Sequence, residues 1–301
     1  MPALLLTLLA FLSVATDTTQ THADALLQAK LERLVADFEG EVGIYVRHLP
    51  TGRTAALQAD TLFPTASLVK VPILLKTFDA IEQGALSLDQ ELVYRDSLAY
   101  SSYDLVAMLR DSSTVPLSKI AMLMITTSDN TASLWLQDLV GTGTAINTWL
   151  AAQGYTQTRV NSRTPGREDA RAAYGWGQTT PREMAELLVM IREGQAVSPA
   201  ASEAMYRMLT RIYWNGEALS ALPPTVQAAS KQGAVSASKS EVVLVNAPSG
   251  DYVFCVITNH QADTRWEDDN AGYVLLREVS RLLWAHFEPT ATWRPASPKD
   301  S

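Results

Sequence analysis

The stretch Phe63-Pro64-Thr65-Ala66-Ser67-Leu68-Val69-Lys70-Val71-Pro72-Ile73-Leu74-Leu75 decides how the rest of the chain is read. Leu68, Val69, Val71, Ile73, Leu74, Leu75, Phe78 and Ile81 leave almost no polar face, which predicts a helix over 67–82 buried nearly all round. Gly84 ends it. A lysine in such a helix is costly without a partner. Positions i and i+3 share a helix face, so the Ser67 hydroxyl and the Lys70 amine can touch. At the helix N-terminus, backbone N–H groups and the dipole favour developing negative charge. Lysine serves as a base when burial or a neighbouring cation lowers its pKa from about 10.4.

Upstream, residues 24–38 read as an amphipathic helix, with Leu26, Leu27, Leu31, Leu34 and Val35 at helical spacing. Residues 41–48 and 53–58 read as strands around the turn Pro50-Thr51-Gly52. Downstream the chain is mostly helical to about residue 225. Thr180-Pro181-Arg182-Glu183 marks a helix start, with Thr as cap and Pro at the first helical position. Within 143–179 little is periodic after Gly154, which predicts a long loop, and long loops in compact domains usually carry function. Three strands follow at about 227–236, 240–247 and 251–259, then a helix at about 269–287. The expected fold is α+β: a five-stranded antiparallel sheet flanked by helices, with an all-helical lobe at about 67–212 inserted in its sequence.

With 301 residues, 47% of them hydrophobic, the chain can build a large core. A net charge of −8 and the lack of any Lys/Arg block argue against nucleic acid as a partner. His22, His48, His260 and His286 are scattered without metal-ligand spacing, so neither a metal nor a cofactor is expected. Cys255 is the single cysteine; its apolar run Tyr252 to Ile257 predicts a buried strand position and no intrachain disulfide. Ala3 to Ala15 are almost wholly apolar, yet shorter than the roughly 20 residues that span a bilayer. They read as the core of a signal peptide over 1–23, with Ser13-Val14-Ala15 or Thr21-His22-Ala23 as cleavage candidates. A periplasmic or secreted location follows, with 24–290 as one catalytic unit, 291–301 as a disordered tail, no stable membrane span and a monomeric state.

Two further motifs carry chemistry. Ser128-Asp129-Asn130 occurs once, after the apolar run Ile120 to Ile125; alone it would read as a helix–helix junction with capping residues. Ser230-Lys231-Gln232-Gly233-Ala234 lies on a strand, where Gly233 lets a ligand or another chain approach the backbone. Alone it would read as an edge strand bearing a protective lysine. A second Ser-x-x-Lys, Ser236 to Lys239, falls between strands, and Lys239 is expected to be an exposed strand-end charge.

In order and separation, these motifs resemble the S-x-x-K, S-D-N and K-T-G set of class A β-lactamases, a branch of the penicillin-recognising serine enzymes. The likeness spans about residues 24–287, including Ile125 to Ala132 and the helix start at Pro181. It implies a β-lactamase/transpeptidase-like fold with Ser67 as acylated nucleophile and Lys70 as its proton acceptor. Ser128 would pass a proton to the leaving nitrogen, Asn130 would bind the substrate amide, and Lys231 would hold the substrate carboxylate. Backbone N–H groups of Ser67 and Ala234, beside Gly233, would form the oxyanion hole. Tyr103 matches the aromatic residue that lines the family's cleft.

Two departures stand out. Gln232 replaces the family's Thr or Ser. Counting back from Pro181, Thr164-Pro165 stands where Glu-Pro should be, and the family's loop ion pair falls on Ser162 and Gly177. In the family this resembles, that Glu activates the water that frees the acyl-enzyme; either Glu168 (or Asp169) has taken over that role, or it is a solvated loop charge. The expected activity is β-lactam hydrolysis. The alternatives are a D-alanyl-D-alanine peptidase-like enzyme and a penicillin- or peptidoglycan-binding module without efficient turnover.

Overall fold

The computed structural model describes residues 21–294. In chain order the strands are β1 (His22–Ala23), β2 (Glu41–His48), β3 (Arg53–Leu57), β4 (Phe63–Pro64), β5 (Glu91–Val93), β6 (Thr114–Pro116), β7 (Arg159–Val160), β8 (Gly177–Thr179), β9 (Ala228–Val235), β10 (Ser238–Val245) and β11 (Tyr252–Asn259). The main sheet has the order β1-β3-β2-β11-β10-β9. Its last five strands are the antiparallel sheet expected from the sequence; the sixth, β1, adds two residues in parallel to β3, with His22 opposite Arg53. The expected leader lies mostly in residues outside those described, but Ala23, at its proposed end, belongs to this sheet edge. The expected tail is described only as far as residue 294.

The helices are α1 (Ala25–Val35), α2 (Lys70–Glu82), α3 (Leu117–Thr126), α4 (Asn130–Leu139), α5 (Thr142–Ala152), α6 (Glu168–Tyr174), α7 (Pro181–Arg192), α8 (Pro199–Leu209) and α9 (Ala271–Phe287). Helices cover both faces of the sheet, so its central strands carry apolar residues on both sides. On β10, Val242 and Leu244 face the core shared with α2 to α5, α7 and α8, whereas Val243 and Val245 face α1 and α9. The period-2 alternation of strand side chains thus assigns each β10 residue to one of two cores. Cys255 is fully buried in the same way, opposite Tyr45 on β2 and Val242 on β10.

Lys70 opens α2, and a single 3₁₀ turn, Ala66–Val69, precedes it. Pro72 sits in the first turn of α2, where its missing N–H forfeits no intrahelical bond. α2 is buried nearly all round, as its composition requires. The span 143–179 is not a continuous loop: it contains all of α5 but its first residue, the short α6 and the strands β7 and β8.

Candidate active site

Ser67 enters the site from the 3₁₀ turn, just before the buried α2. Ala66, directly before it, has φ of +43°, a left-handed bend that turns the chain sharply into the turn. Strand pairing fixes the approach. β4 pairs with β8, and the Thr65 N–H donates to the Gly177 carbonyl at 2.9 Å. A Cβ on Gly177 would lie 2.7 Å from Thr65 Oγ1 and 2.8 Å from Val69 Cγ2, so glycine is required for this close packing.

Ser128 arrives between α3 and α4, at the short junction the motif predicts. Its φ is +60°, and two buried aspartates hold this turn. Asp129 caps α4 by accepting from the Ala132 N–H at 2.7 Å, and its other oxygen accepts from the Val106 N–H at 2.9 Å. Asp104 accepts from the N–H groups of Asn130 and Thr131 and from the Thr131 hydroxyl. The capping reading of this motif and its chemical reading therefore both apply: the caps aim the chemistry.

The groups meet at the Lys70 amine. Lys70 Nζ is 2.9 Å from Ser67 Oγ, 3.0 Å from Ser128 Oγ, 2.6 Å from the Ser128 carbonyl and 2.7 Å from Asn130 Oδ1. From the far side, Lys231 Nζ lies 3.1 Å from the same Ser128 hydroxyl. Both lysines are fully buried. Burial pushes Lys70 down to about 7, against the opposing pull of Asp129 and Asp104. Near neutral pH a large share of Lys70 is therefore neutral and able to accept a proton. Burial and the charge of Lys70 push Lys231 well below its ordinary value.

Gly233 presses β9 against the nucleophile. A Cβ there would lie 2.7 Å from the Thr65 carbonyl, 2.8 Å from Ser240 Oγ and 2.9 Å from the Ser67 amide nitrogen. Gln232 turns to Lys231: Nζ donates to its side-chain oxygen at 3.0 Å and to its backbone carbonyl at 2.8 Å. A longer side chain in place of Thr or Ser thus engages the lysine directly.

The cleft in front of Ser67 encloses about 430 Å³, and its lining includes Asn130, Tyr100, Tyr174, Trp176, Ala234 and Val235. Tyr100 and Trp176 meet edge to face, with ring centroids 5.0 Å apart. Tyr103, the expected aromatic, is 91% exposed and does not line this cleft; Tyr100, three residues earlier, takes that place. Lys239 also differs from expectation. It is fully buried, its amine 4.1 Å from the centre of the Trp266 ring and 5.1 Å from that of Tyr273, and it donates to the Val235 carbonyl at 2.8 Å.

The loop after α5 departs furthest. Glu168 begins α6, is exposed, and accepts from the Gly166 N–H at 3.1 Å. It lines a separate depression with Asn161, Arg163, Thr164, Pro165 and Arg171, none of which lines the Ser67 cleft. Asp169 is exposed beside it. The expected relocation of a base to Glu168 is therefore corrected: α6 turns that carboxylate outward. Thr164 is buried and donates to the Ser162 carbonyl at 2.8 Å. Ser162 pairs with Gln137 rather than across the loop. Arg167 binds the loop instead, through Asn161 at 2.7 Å and Gln178 at 2.7 Å. Among the described residues that line the cleft, none is Asp or Glu.

A serine hydroxyl and a neutralisable lysine in contact, with a second hydroxyl bridged to a second lysine, define a serine hydrolase. The chain belongs to the β-lactamase enzyme family, whose model matches residues 26–287. It is 21% identical to β-lactamase VEB-1 of Pseudomonas aeruginosa, over 94% of this chain and 97% of that one. It is 26% identical to β-lactamase AER-1 of Aeromonas hydrophila, over 78% and 76% of the two chains. Among solved structures it is similar to PBP-A, with TM-score 0.79 and 27% identity over 89% of this chain and 98% of that one. An ancestral class A β-lactamase shares the fold, with TM-score 0.75 and 24% identity over 86% and 99%.

Proposed function

We propose that this protein opens β-lactams by acyl transfer to Ser67. Neutral Lys70 takes the Ser67 proton as Oγ attacks the lactam carbonyl. The C–N bond breaks, and the leaving nitrogen receives a proton from Ser128, which is replenished from the Lys70 ammonium. The Ser67 and Ala234 N–H groups would receive the oxyanion, each donor contributing roughly 10²–10³-fold. Asn130 would orient the substrate amide and Lys231 its carboxylate. The single observation carrying this reading is the Lys70 amine within 3.0 Å of both Ser67 Oγ and Ser128 Oγ. The apolar run near the N-terminus supports export of the chain to the periplasm or beyond.

One observation favours a second reading, penicillin binding with little turnover: no Asp or Glu is among the described residues lining the cleft. PBP-A is a fitting comparison, since a mutant of it was solved as an acyl-enzyme complex with penicillin G. Mass spectrometry with a chromogenic β-lactam separates the readings. Sustained colour without a lasting adduct supports hydrolysis. One equivalent of colour with a stable adduct on Ser67 supports binding. No colour and no adduct in folded protein refutes both.

A further inference from the structure

Thr131 follows the Ser128-Asp129-Asn130 motif in the first turn of α4 and is fully buried. The acyl-transfer chemistry leaves it without a task. Its hydroxyl donates to Asp104 Oδ2 at 2.7 Å and accepts from the Tyr100 N–H at 2.9 Å. Its own N–H donates to the same Asp104 oxygen at 3.0 Å. The other Asp104 oxygen accepts from the Asn130 N–H at 3.2 Å. A chain of direct bonds thus runs from Tyr100 through Thr131 and Asp104 to Asn130.

The two ends of that chain face one cleft. Asn130 and Tyr100 both line the space in front of Ser67, together with Trp176. Tyr100 lies outside the helices and strands, and among the described residues its backbone makes no hydrogen bond other than the one to Thr131. Its ring meets Trp176 edge to face yet stays 54% exposed, so this aromatic corner has an open face. Such a corner suits a third ring, stacked or edge-on. The turn that carries Tyr100 is closed by the Asp104 N–H, which donates to the Ser101 carbonyl at 3.1 Å. Thr131 therefore grips this turn at both ends, at the Tyr100 N–H and at the Asp104 carboxylate.

We propose that Thr131 is a positioning residue that gives the site a preference for β-lactams with an aromatic acyl side chain: it fixes the Tyr100 ring relative to Asn130. This rests on the acyl-transfer reading and on Asn130 as the group that holds the substrate amide, beyond which the acyl side chain meets the corner. A wall held in place before the substrate arrives needs no ordering on binding. Without the Thr131 hydroxyl, the Tyr100 N–H turns to water and the substrate must order the ring. Asp104 still accepts from the N–H groups of Asn130 and Thr131, so Asn130 keeps its place.

The experiment compares Ser67 acylation by penicillin G, whose side chain is phenylacetyl, with acylation by its acetamido analogue, which keeps the amide and lacks the ring. The proteins are wild type, Thr131→Val, Thr131→Ser and Tyr100→Ala, with thermal melts to verify folding. Wild type should prefer penicillin G by about tenfold. Thr131→Val should weaken penicillin G binding by about fivefold with the maximal acylation rate held, and change the analogue by less than about twofold. Thr131→Ser, which keeps the hydroxyl, should restore the preference. Tyr100→Ala should remove it, and adding Thr131→Val should then cost less than about twofold more. Equal losses for both penicillins, no rescue by serine, or fully additive losses would overturn the proposal. Should Thr131→Val not fold, hydrogen exchange at the wild-type Tyr100 amide decides: protection supports the bond to Thr131, and exchange at the free-chain rate overturns it. A wild type acylated by neither penicillin would sink the functional reading. The Tyr100 amide in ¹⁵N NMR would still judge the corner: a shift on adding phenylacetylglycine supports it, and no shift overturns it.

Discussion

The two sides of the cleft are built differently. On one, α2, the α3–α4 junction and β9 bring two hydroxyls, two amines and an amide within hydrogen-bond reach, all on rigid elements. On the other, the segment between α5 and α7 contributes Ala173, Tyr174, Gly175 and Trp176 to the cleft wall and turns its carboxylates to solvent. Forming an acyl-enzyme and releasing it are separate chemical problems. The first side suits the proposed acylation; the second offers shape and apolar surface, with no Asp or Glu among the described residues lining the cleft.

Four outcomes would break or sharpen this contrast. The largest is Ser67→Ala, which should abolish the covalent adduct and lower turnover by about a thousandfold or more, as read by mass spectrometry and chromogenic assay. Next, Gly233→Ala forces a methyl group within 2.9 Å of the Ser67 nitrogen and should slow acylation by about 10²-fold with the fold retained by circular dichroism. Third, the acylation rate should rise with pH through about 7, because Lys70 must lose its proton before it can take one from Ser67. A rate that is flat across that range would remove Lys70 as the base. The smallest is Glu168→Ala, which should change the deacylation rate by less than about twofold in a stopped-flow chase. A tenfold loss would mean that the loop closes inward to deliver that carboxylate.

Legibility in the sequence followed the range of the interaction. Ser67 and Lys70 share one turn of chain, so their contact could be read from spacing alone, and the buried character of α2 followed from its composition. The alternating apolar runs gave the five antiparallel strands, but β1, with two residues, is too short to carry a pattern. α6 escaped because its seven residues bury no side chain and so show no apolar stripe. Convergence of Ser128 and Lys231 came only from family likeness, since no local rule brings a helix junction to a strand a hundred residues away. The misplacements share a cause. The count to Tyr103 and to Glu168 runs along irregular backbone, where an offset of a few residues or one short helix reverses a side chain's direction. The burial of Lys239 has no local signal, because the rings that bury it, Trp266 and Tyr273, lie well downstream of it in the sequence.

Cys255 has a practical consequence of its own. The lone thiol lies at the centre of β11 with neighbouring strands on both flanks, and burial pushes it far above the usual thiol range. Reagent cannot touch it until those strands part, so its alkylation rate counts spontaneous openings of the sheet. The molecule thus carries a built-in clock for its own breathing. Adding a tight acylating ligand should slow that clock only if the strand that cradles Lys231 and the strand that holds Cys255 come apart as one cooperative unit.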